Sequence, residues 1–285
     1  MLIRGVFGRL AGRAAAAGLA LALWPILADA ILVAPHAVFI DHRSRTGQVY
    51  LVNSGNEAEE VAVELQYGYP DADTAGNVYI HFVDAPAASD PSAARWIRAF
   101  PRRVVVPANA QQTVRLLATP PADLPDGEYW SRLIVTSHGA PVPVASADTG
   151  VHAQITLEVR TIISVTYRKG PVTTGLTLDD FRAAVERDSL VVWLDLTRTG
   201  NAAYLGLVRL ALLEAGGRPA AEWEQQLAVY VSPQHRRFAF PLDGVAPGLY
   251  TLRLGIATDR DDIQHGMVLP APPIERTMAF EVRSP

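Results

Sequence analysis

Cysteine is absent from the 285 residues of this sequence. Disulfide bonds, zinc–thiolate sites and thiol nucleophiles are therefore excluded. The excess of one sign of charge is also small, because 25 basic residues and 29 acidic residues leave a formal net charge of −4. Nucleic-acid-binding proteins usually carry a basic surface, so this balance argues against a nucleic-acid partner. With 49% hydrophobic residues, the chain can form the cores of two domains.

The sequence also lacks the motifs that usually carry catalysis or bind cofactors. None of its seven histidines stands in an H-x-x-H or H-E-x-x-H pair, and no G-x-S-x-G, P-loop or G-x-G-x-x-G motif is present. The acidic run at 259–262 lacks the spaced oxygen ligands of a calcium loop, so we interpret it as a solvated turn. Short basic pairs at 102–103 and 236–237 are interpreted as solvated strand ends. We expect no enzymatic activity, no cofactor and no metal site.

The first 30 residues have the pattern of a secretory signal peptide. Three arginines precede a short apolar run, and Ala28-Asp29-Ala30 provides a small-residue cleavage site. The apolar run is short for a membrane span, although an uncleaved anchor or a buried helix are the alternatives. Cleavage would remove a net charge of +2 and leave −6. We expect export to the periplasm, with no membrane insertion after cleavage.

After residue 30 the sequence alternates between short strands and polar turns nearly throughout. Turn residues separate the strands, for example at 53–56, 70–73 and 125–127. Several such strands over about a hundred residues are typical of an immunoglobulin-like sandwich. Gly170 and Pro171 interrupt the series, and a second set of strands follows. We predict an all-β protein of two tandem immunoglobulin-like β-sandwich domains, at residues 31–168 and 169–285.

One segment, residues 178–188 (LDDFRAAVERD), has helical features. Thr177 is suited to cap a helix, and Asp179 and Asp180 suit its N-terminus. We predict a helix here, with an irregular first strand of the second domain as the alternative.

A shared phrase links the two predicted domains. Residues 124–135 (LPDGEYWSRLIV) and 245–256 (VAPGLYTLRLGI) each place a glycine and a tyrosine before an alternating strand. This pattern predicts a tyrosine corner at Tyr129 and at Tyr250, and an ordinary hairpin turn is the alternative.

Residues 151–167 (VHAQITLEVRTIISVTY) alternate over an unusual length. Strand side chains point to opposite faces in turn, so the pattern predicts one long strand with an apolar and a polar face. A strand that outruns its own sheet exposes apolar residues, which a soluble protein without a partner avoids. The alternative is a strand that buries its apolar face in its own core.

Four segments occur in a recognisable order: Ala37-Val38-Phe39, the Pro107–Arg115 strand, Leu124–Tyr129 and Tyr167-Arg168. Taken in this order, they resemble the N-terminal domain of periplasmic pilus-assembly chaperones. The resemblance covers most of residues 31–168 and is looser at 198–206.

The resemblance implies donor-strand complementation, in which the chaperone lends alternate side chains of an edge strand to a pilin that lacks its last strand. Ile155, Leu157 and Val159 would be the donor side chains. The implied partners are pilin-like subunits and an outer-membrane usher that receives them for pilus assembly. Neither ATP nor a cofactor is implied. Whether the free protein caps its own edge as a homodimer is left open.

The sequence departs from the family at the residues that bind the carboxylate of the pilin's C-terminus. The family has two basic residues there, and His36 and Ser164 occupy those positions in this chain. A charged donor binds a carboxylate more strongly than a neutral one, so the anchor is altered. Other basic residues are alternative anchors: Arg43, Arg45, Arg160 and Lys169.

At the domain junction the resemblance pairs Arg168 with acids from both domains. Glu128 is the matching acid of the first domain, and one of Asp259, Asp261 or Asp262 is expected from the second. An exposed linker charge is the alternative for Arg168.

A different class of function fits the same pattern of strands. The chain would then be an exported tandem-sandwich structural or adhesion module without chaperone activity. In that case residues 151–167 form a core strand or an oligomer edge.

Overall fold

The computed structural model describes residues 31–138, 142–144, 153–155 and 157–283. The predicted signal peptide, residues 1–30, lies outside the described residues. Within them the chain forms 20 β-strands and no α-helix. The predicted all-β fold of two tandem sandwiches is confirmed.

The first sandwich packs a four-stranded sheet against a five-stranded one. The four-stranded sheet has the order β1 (Leu32–Ala34), β3 (Thr46–Asn53), β9 (Ala110–Ala118), β7 (Ile97–Phe100). The five-stranded sheet has the order β2 (Ala37–Asp41), β13 (Glu158–Lys169), β10 (Gly127–His138), β4 (Glu59–Gln66), β8 (Arg103–Val106). All neighbours are antiparallel except β2 and β13, which run parallel. Alternate residues of both sheets meet in one core that includes Leu51, Leu116 and Ile163.

The second sandwich packs a three-stranded sheet against a four-stranded one. Their orders are β14 (Thr174–Glu186), β15 (Ser189–Gly200), β18 (Gln234–Pro241) and β17 (Pro219–Val229), β16 (Tyr204–Leu213), β19 (Gly248–Ala257), β20 (Ile274–Val282). Their inner faces share a separate core that includes Leu194, Leu210 and Leu254. Among the described strands no sheet crosses residues 170–173, and the boundary at residue 168 stays a prediction.

The helix predicted at 178–188 is wrong, because residues 178–186 belong to β14 and residues 187–188 form the turn after it. A β-bulge lies between Leu178 and Asp180 in the pairing with β15. It adds one residue to the alternation, so that Leu176 and Leu178 before it and Phe181, Ala183 and Val185 after it all pack against one core. The bulge removes the regular period of two by which a strand is recognised in a sequence.

Two short hairpins stand apart from the sandwich sheets. One joins β5 (Gly68–Ala72) to β6 (Val78–Phe82), and the other joins β11 (Val142–Val144) to β12 (Ala153–Ile155). The β5–β6 hairpin contacts the second sandwich. The β11–β12 hairpin comes just before β13, where the candidate site is found.

The predicted tyrosine corners are confirmed in both sandwiches. The Tyr129 hydroxyl donates to the Pro125 carbonyl at 2.9 Å, and the Tyr250 hydroxyl donates to the Ala246 carbonyl at 2.8 Å. In each case the tyrosine hydroxyl donates to the backbone carbonyl four residues upstream, at the entry to β10 or β19.

Removing either hydroxyl should weaken the sandwich that contains it. We expect Tyr129→Phe and Tyr250→Phe each to lower the free energy of unfolding by about 0.5–1.5 kcal/mol, because each leaves one carbonyl without its partner. Urea denaturation of the single variants measures this change. Two variants as stable as the wild type would show that the corners are conformational features without a net energetic role.

Candidate functional site

The candidate site is the N-terminal part of β13 and its open edge. The single strand predicted over 151–167 is wrong in its extent, because the structure has β12 at 153–155 and β13 from 158. Glu158 lies opposite His138, whereas Ile155 lies opposite Val142. Two residues thus separate Ile155 from Glu158, whereas three separate His138 from Val142. The register of pairing therefore shifts by one residue at this point, and the side chain of Ile155 lies outside the described residues.

The two edges of β13 have different neighbours. One edge pairs with β10 along its whole length, from Glu158 to Lys169. The other pairs with β2 only from Ser164 to Arg168, and no described strand lies beside residues 158–163 on that side. The open edge of β13 is therefore residues 158–163.

The hydrogen bonds to β2 show which backbone groups the open edge presents. The Ser164 amide donates to the His36 carbonyl at 3.4 Å, and the His42 amide donates to the Arg168 carbonyl at 3.0 Å. Even-numbered residues of β13 thus turn their N–H and C=O groups towards β2. In an extended strand this direction repeats every second residue, so Glu158, Arg160 and Ile162 point theirs out of the open edge.

Apolar side chains change from buried to exposed along one face of the strand. Ile163, Val165 and Tyr167 are buried in the first core. On the same face Val159 is half-buried, and Leu157 just before the strand is 46% exposed. The structure thus places two of the three predicted donor residues where the strand leaves its own core.

Ile162 is an exposed apolar residue of the edge that the sequence pattern did not identify. It lies on the face opposite Val159 and is 42% exposed. The doublet Ile162-Ile163 interrupts the alternation of polar and apolar residues, and this interruption was the available signal.

The structure brings His36 and Ser164 together through the backbone. His36 is exposed just before β2, and its carbonyl accepts the Ser164 amide. The Ser164 hydroxyl shares a 3.2 Å hydrogen bond with the hydroxyl of Tyr230, which comes from the second sandwich and is buried. The guanidinium carbon of Arg132, which lies opposite Ser164 on β10, is 4.9 Å from the centroid of the Tyr230 ring.

Three of the four other cations named as alternative anchors have partners of their own. Arg160 pairs with Glu158 at 3.5 Å, and Lys169 lies 3.8 Å from Asp126. The Arg45 side chain donates to the His42 carbonyl at 3.1 Å. Arg43 is exposed in the turn after β2.

A buried carboxylate joins the two sandwiches behind the site. Glu128 is 3% exposed. Its Oε2 accepts Arg168 Nε at 2.8 Å, and its Oε1 accepts Trp130 Nε1 at 2.7 Å and the Ala203 amide at 3.1 Å. The Glu128 amide donates to the Asn201 carbonyl at 3.1 Å. The predicted contact between Arg168 and Glu128 is therefore present.

The prediction that an acid of the second domain pairs with Arg168 is wrong. Asp259 pairs with Arg209 and Asp262 pairs with Arg260, while Asp261 is exposed on the same turn. The second sandwich contributes the peptide groups of Asn201 and Ala203 instead, and these contact Glu128 rather than Arg168. A peptide N–H satisfies a buried carboxylate without adding a second buried charge.

Other features of the described residues bear on the class of site. No helix among them is long and apolar enough to cross a membrane. Within the same residues, histidine and acidic side chains form no group of three that could hold a metal ion.

Burial raises the pKa of Tyr204 to about 12, with a further rise from Asp259. Burial lowers the pKa of Arg198, which the nearby Glu128 carboxylate opposes.

Comparisons with known proteins match this chain to solved structures of low sequence identity. No protein-family model matches the sequence, and no curated protein matches it. The CsuC–CsuE chaperone–tip adhesion subunit pre-assembly complex of Acinetobacter baumannii shows 15% identity, a TM-score of 0.39, and coverage of 74% of this chain and 90% of that one. The CupB2 chaperone of Pseudomonas aeruginosa shows 13% identity, a TM-score of 0.37, and coverage of 88% and 100%. The complex of the SafA pilin with the SafB chaperone of Salmonella enterica shows 15% identity, a TM-score of 0.40, and coverage of 88% and 97%.

Proposed function

We propose that this protein is a periplasmic chaperone that binds pilin-like subunits by donor-strand complementation along residues 155–163. The observation that carries the proposal is the open edge of β13, whose backbone groups no described strand pairs, next to the exposed Leu157. Export through cleavage of residues 1–30 and delivery of the subunit to an outer-membrane usher belong to the same proposal. No catalytic step is part of it.

Physical chemistry explains why such an edge favours a partner strand. An unpaired edge next to apolar side chains is a template for another chain, and proteins usually cover or charge it. A subunit strand placed beside residues 158–163 would satisfy the backbone groups of Glu158, Arg160 and Ile162. Burial of Ile155, Leu157 and Val159 in the subunit would add ~1.5–3 kcal/mol for each fully buried aliphatic side chain, before the cost of ordering.

The position of β2 limits where the subunit strand ends. β2 occupies the same edge of β13 from Ser164 onwards, so an added strand would end at about this point. His36 is exposed there, immediately before β2. We therefore retain His36 and Ser164 as polar contacts for the end of the subunit strand, with the Ser164 hydroxyl also bonded to Tyr230.

A co-purification experiment tests the donor edge. The chain is expressed with a tag and with a pilin-like subunit encoded in the same gene cluster, and the complex is isolated through the tag. Leu157→Asp should reduce recovery of the complex at least tenfold, because a carboxylate would have to be buried in the subunit. The matched control is Leu117→Asp on β9, where the leucine is also 46% exposed but lies on the other sheet.

The outcomes of this experiment separate the proposal from its alternatives. Full recovery with the Leu157→Asp variant, while that variant stays folded, would contradict the donor edge. Equal losses with both variants would indicate a general effect of an added charge. Self-capping through the same edge predicts that the chain alone is a dimer in size-exclusion chromatography and that Leu157→Asp makes it monomeric.

A further inference from the structure

The β5–β6 hairpin leaves the first sandwich and reaches the second. At its root the Gly68 carbonyl accepts Arg132 Nε at 3.0 Å. At its tip the Gly76 carbonyl accepts the amide of Arg237, a residue of β18, at 2.8 Å. Between these points Gln234 Nε2 donates to the Pro70 carbonyl at 3.1 Å. The hairpin therefore contacts the second sandwich along much of its length.

The tip is shaped for close contact with the backbone of β18. The Asp73 carboxylate accepts the amides of Ala75 at 2.9 Å and Asn77 at 2.8 Å, which holds the turn. Gly76 has a φ of +86°, and a Cβ atom there would lie 2.7 Å from both the amide nitrogen and the Cβ of Arg237. Only glycine meets both requirements, because other residues disfavour this φ and carry the Cβ that would collide.

The hairpin covers an edge that the second sandwich leaves unpaired. β18 is the outer strand of its three-stranded sheet, with β15 on its inner side. The Arg237 amide points away from β15, as its bond to Gly76 shows. A strand edge covered by another part of the chain is protected from pairing elsewhere.

The covered surface is polar as well as apolar. Gln234 and Arg236 are both buried, and Arg236 Nη1 donates to the Ala228 carbonyl at 3.0 Å. Burial lowers the pKa of Arg236 to about 10, which the carboxylate of Asp71 on the hairpin opposes. At the root, Tyr67 packs in a small apolar cluster with Trp130, Ala203 and Tyr230. The polar side chains of Gln234 and Arg236 tolerate water better than an apolar face does. Release of the tip would therefore cost less free energy than opening a core.

We propose that the β5–β6 hairpin is a strap that fixes the angle between the two sandwiches and keeps Tyr230 packed against Trp130 and Arg132 of the first sandwich. Its tip holds the second sandwich through the edge of β18, and its root holds the first through Arg132. When the tip is released, the sandwiches gain freedom to separate around the Glu128 junction. The strap acts on domain orientation, so it is independent of whether the edge of β13 binds a subunit.

Two glycine substitutions with equal backbone strain test the strap. Gly76→Ala adds the Cβ that collides with Arg237, whereas Gly217→Ala adds a Cβ at a similar φ of +79° with no atom within 4 Å. Hydrogen exchange of the Arg237 amide, followed by NMR, should speed up about tenfold or more in Gly76→Ala and change little in Gly217→Ala. Residual dipolar couplings should then show a changed or averaged orientation of the two sandwiches only in Gly76→Ala.

Each outcome decides the proposal. Equal exchange rates of Arg237 in both variants, or faster exchange with an unchanged orientation of the sandwiches, would overturn it. If Gly76→Ala does not fold, Gln234→Leu removes the bond to Pro70 without altering the turn. That variant should also loosen the orientation, and a fixed orientation there would contradict the strap.

Discussion

Replacing Glu128 with alanine is expected to lower the free energy of unfolding by about 3–5 kcal/mol, the range for breaking a buried ion pair from one side. The substitution leaves the largely buried guanidinium of Arg168 without its carboxylate. It also removes the acceptor of the Trp130 indole and of the Ala203 amide. Since Ala203 belongs to the second sandwich, the variant should loosen the junction as well. Chemical denaturation, followed by tryptophan fluorescence, measures the loss.

A graded set of variants separates charge from packing at this position. Glu128→Gln keeps the side-chain volume and one acceptor oxygen, so a smaller loss of about 1.5–3 kcal/mol is expected, as for a hydrogen bond to a charged group. The control is Glu224→Ala, because Glu224 pairs with Arg209 at the surface and should cost less than about 1 kcal/mol. A loss at Glu128 no larger than at Glu224 would show that the buried carboxylate is not a structural junction.

Truncating the two cores is expected to destabilise the two sandwiches separately. Leu51→Ala and Leu210→Ala each remove a fully buried side chain, so each should cost about 2–5 kcal/mol. The two apolar clusters share no residue, and we therefore expect each variant to shift mainly the unfolding of its own sandwich. Hydrogen exchange read separately for β3 and β16 distinguishes these two effects.

The interface between the sandwiches sets the limit of this independence. Glu128, the Tyr230 contacts and the β5–β6 hairpin all cross it. If Leu51→Ala lowered protection in β16 as much as in β3, the chain would unfold as one cooperative unit. Leu117→Ala is the control, because that exposed side chain should change stability by less than about 0.5 kcal/mol.

Local patterns predicted most of the fold. Alternation of apolar and polar residues predicted the sandwich strands, because each strand buries one face and the period of two is visible in the sequence. Both tyrosine corners followed from the repeated glycine–tyrosine phrase, since the hydrogen bond closes over four residues. The contact between Arg168 and Glu128 followed from a resemblance and not from the residues alone.

The errors share a physical cause. In β14 a bulge shifts the alternation, and before β13 the register of pairing shifts by one residue. Both depend on how two strands pair, and the partner of a strand cannot be read from that strand alone. The partner expected among Asp259, Asp261 and Asp262 was wrong for a similar reason. Charge marks candidates for an ion pair, but a peptide N–H that faces a buried carboxylate has no signature in the sequence.

The sequence by itself determined that this chain is two β-sandwiches without disulfides, since the absence of cysteine and the period of its apolar residues are properties of the chain. It also marked Leu157 and Val159 as apolar residues of a strand with two distinct faces. Only the tertiary structure decided that β2 pairs with β13 from Ser164 onwards, so that no described strand lies beside residues 158–163, and that the β5–β6 hairpin crosses to β18. Edges and crossings arise between segments far apart in the chain, so their free energy depends on contacts that no local pattern records.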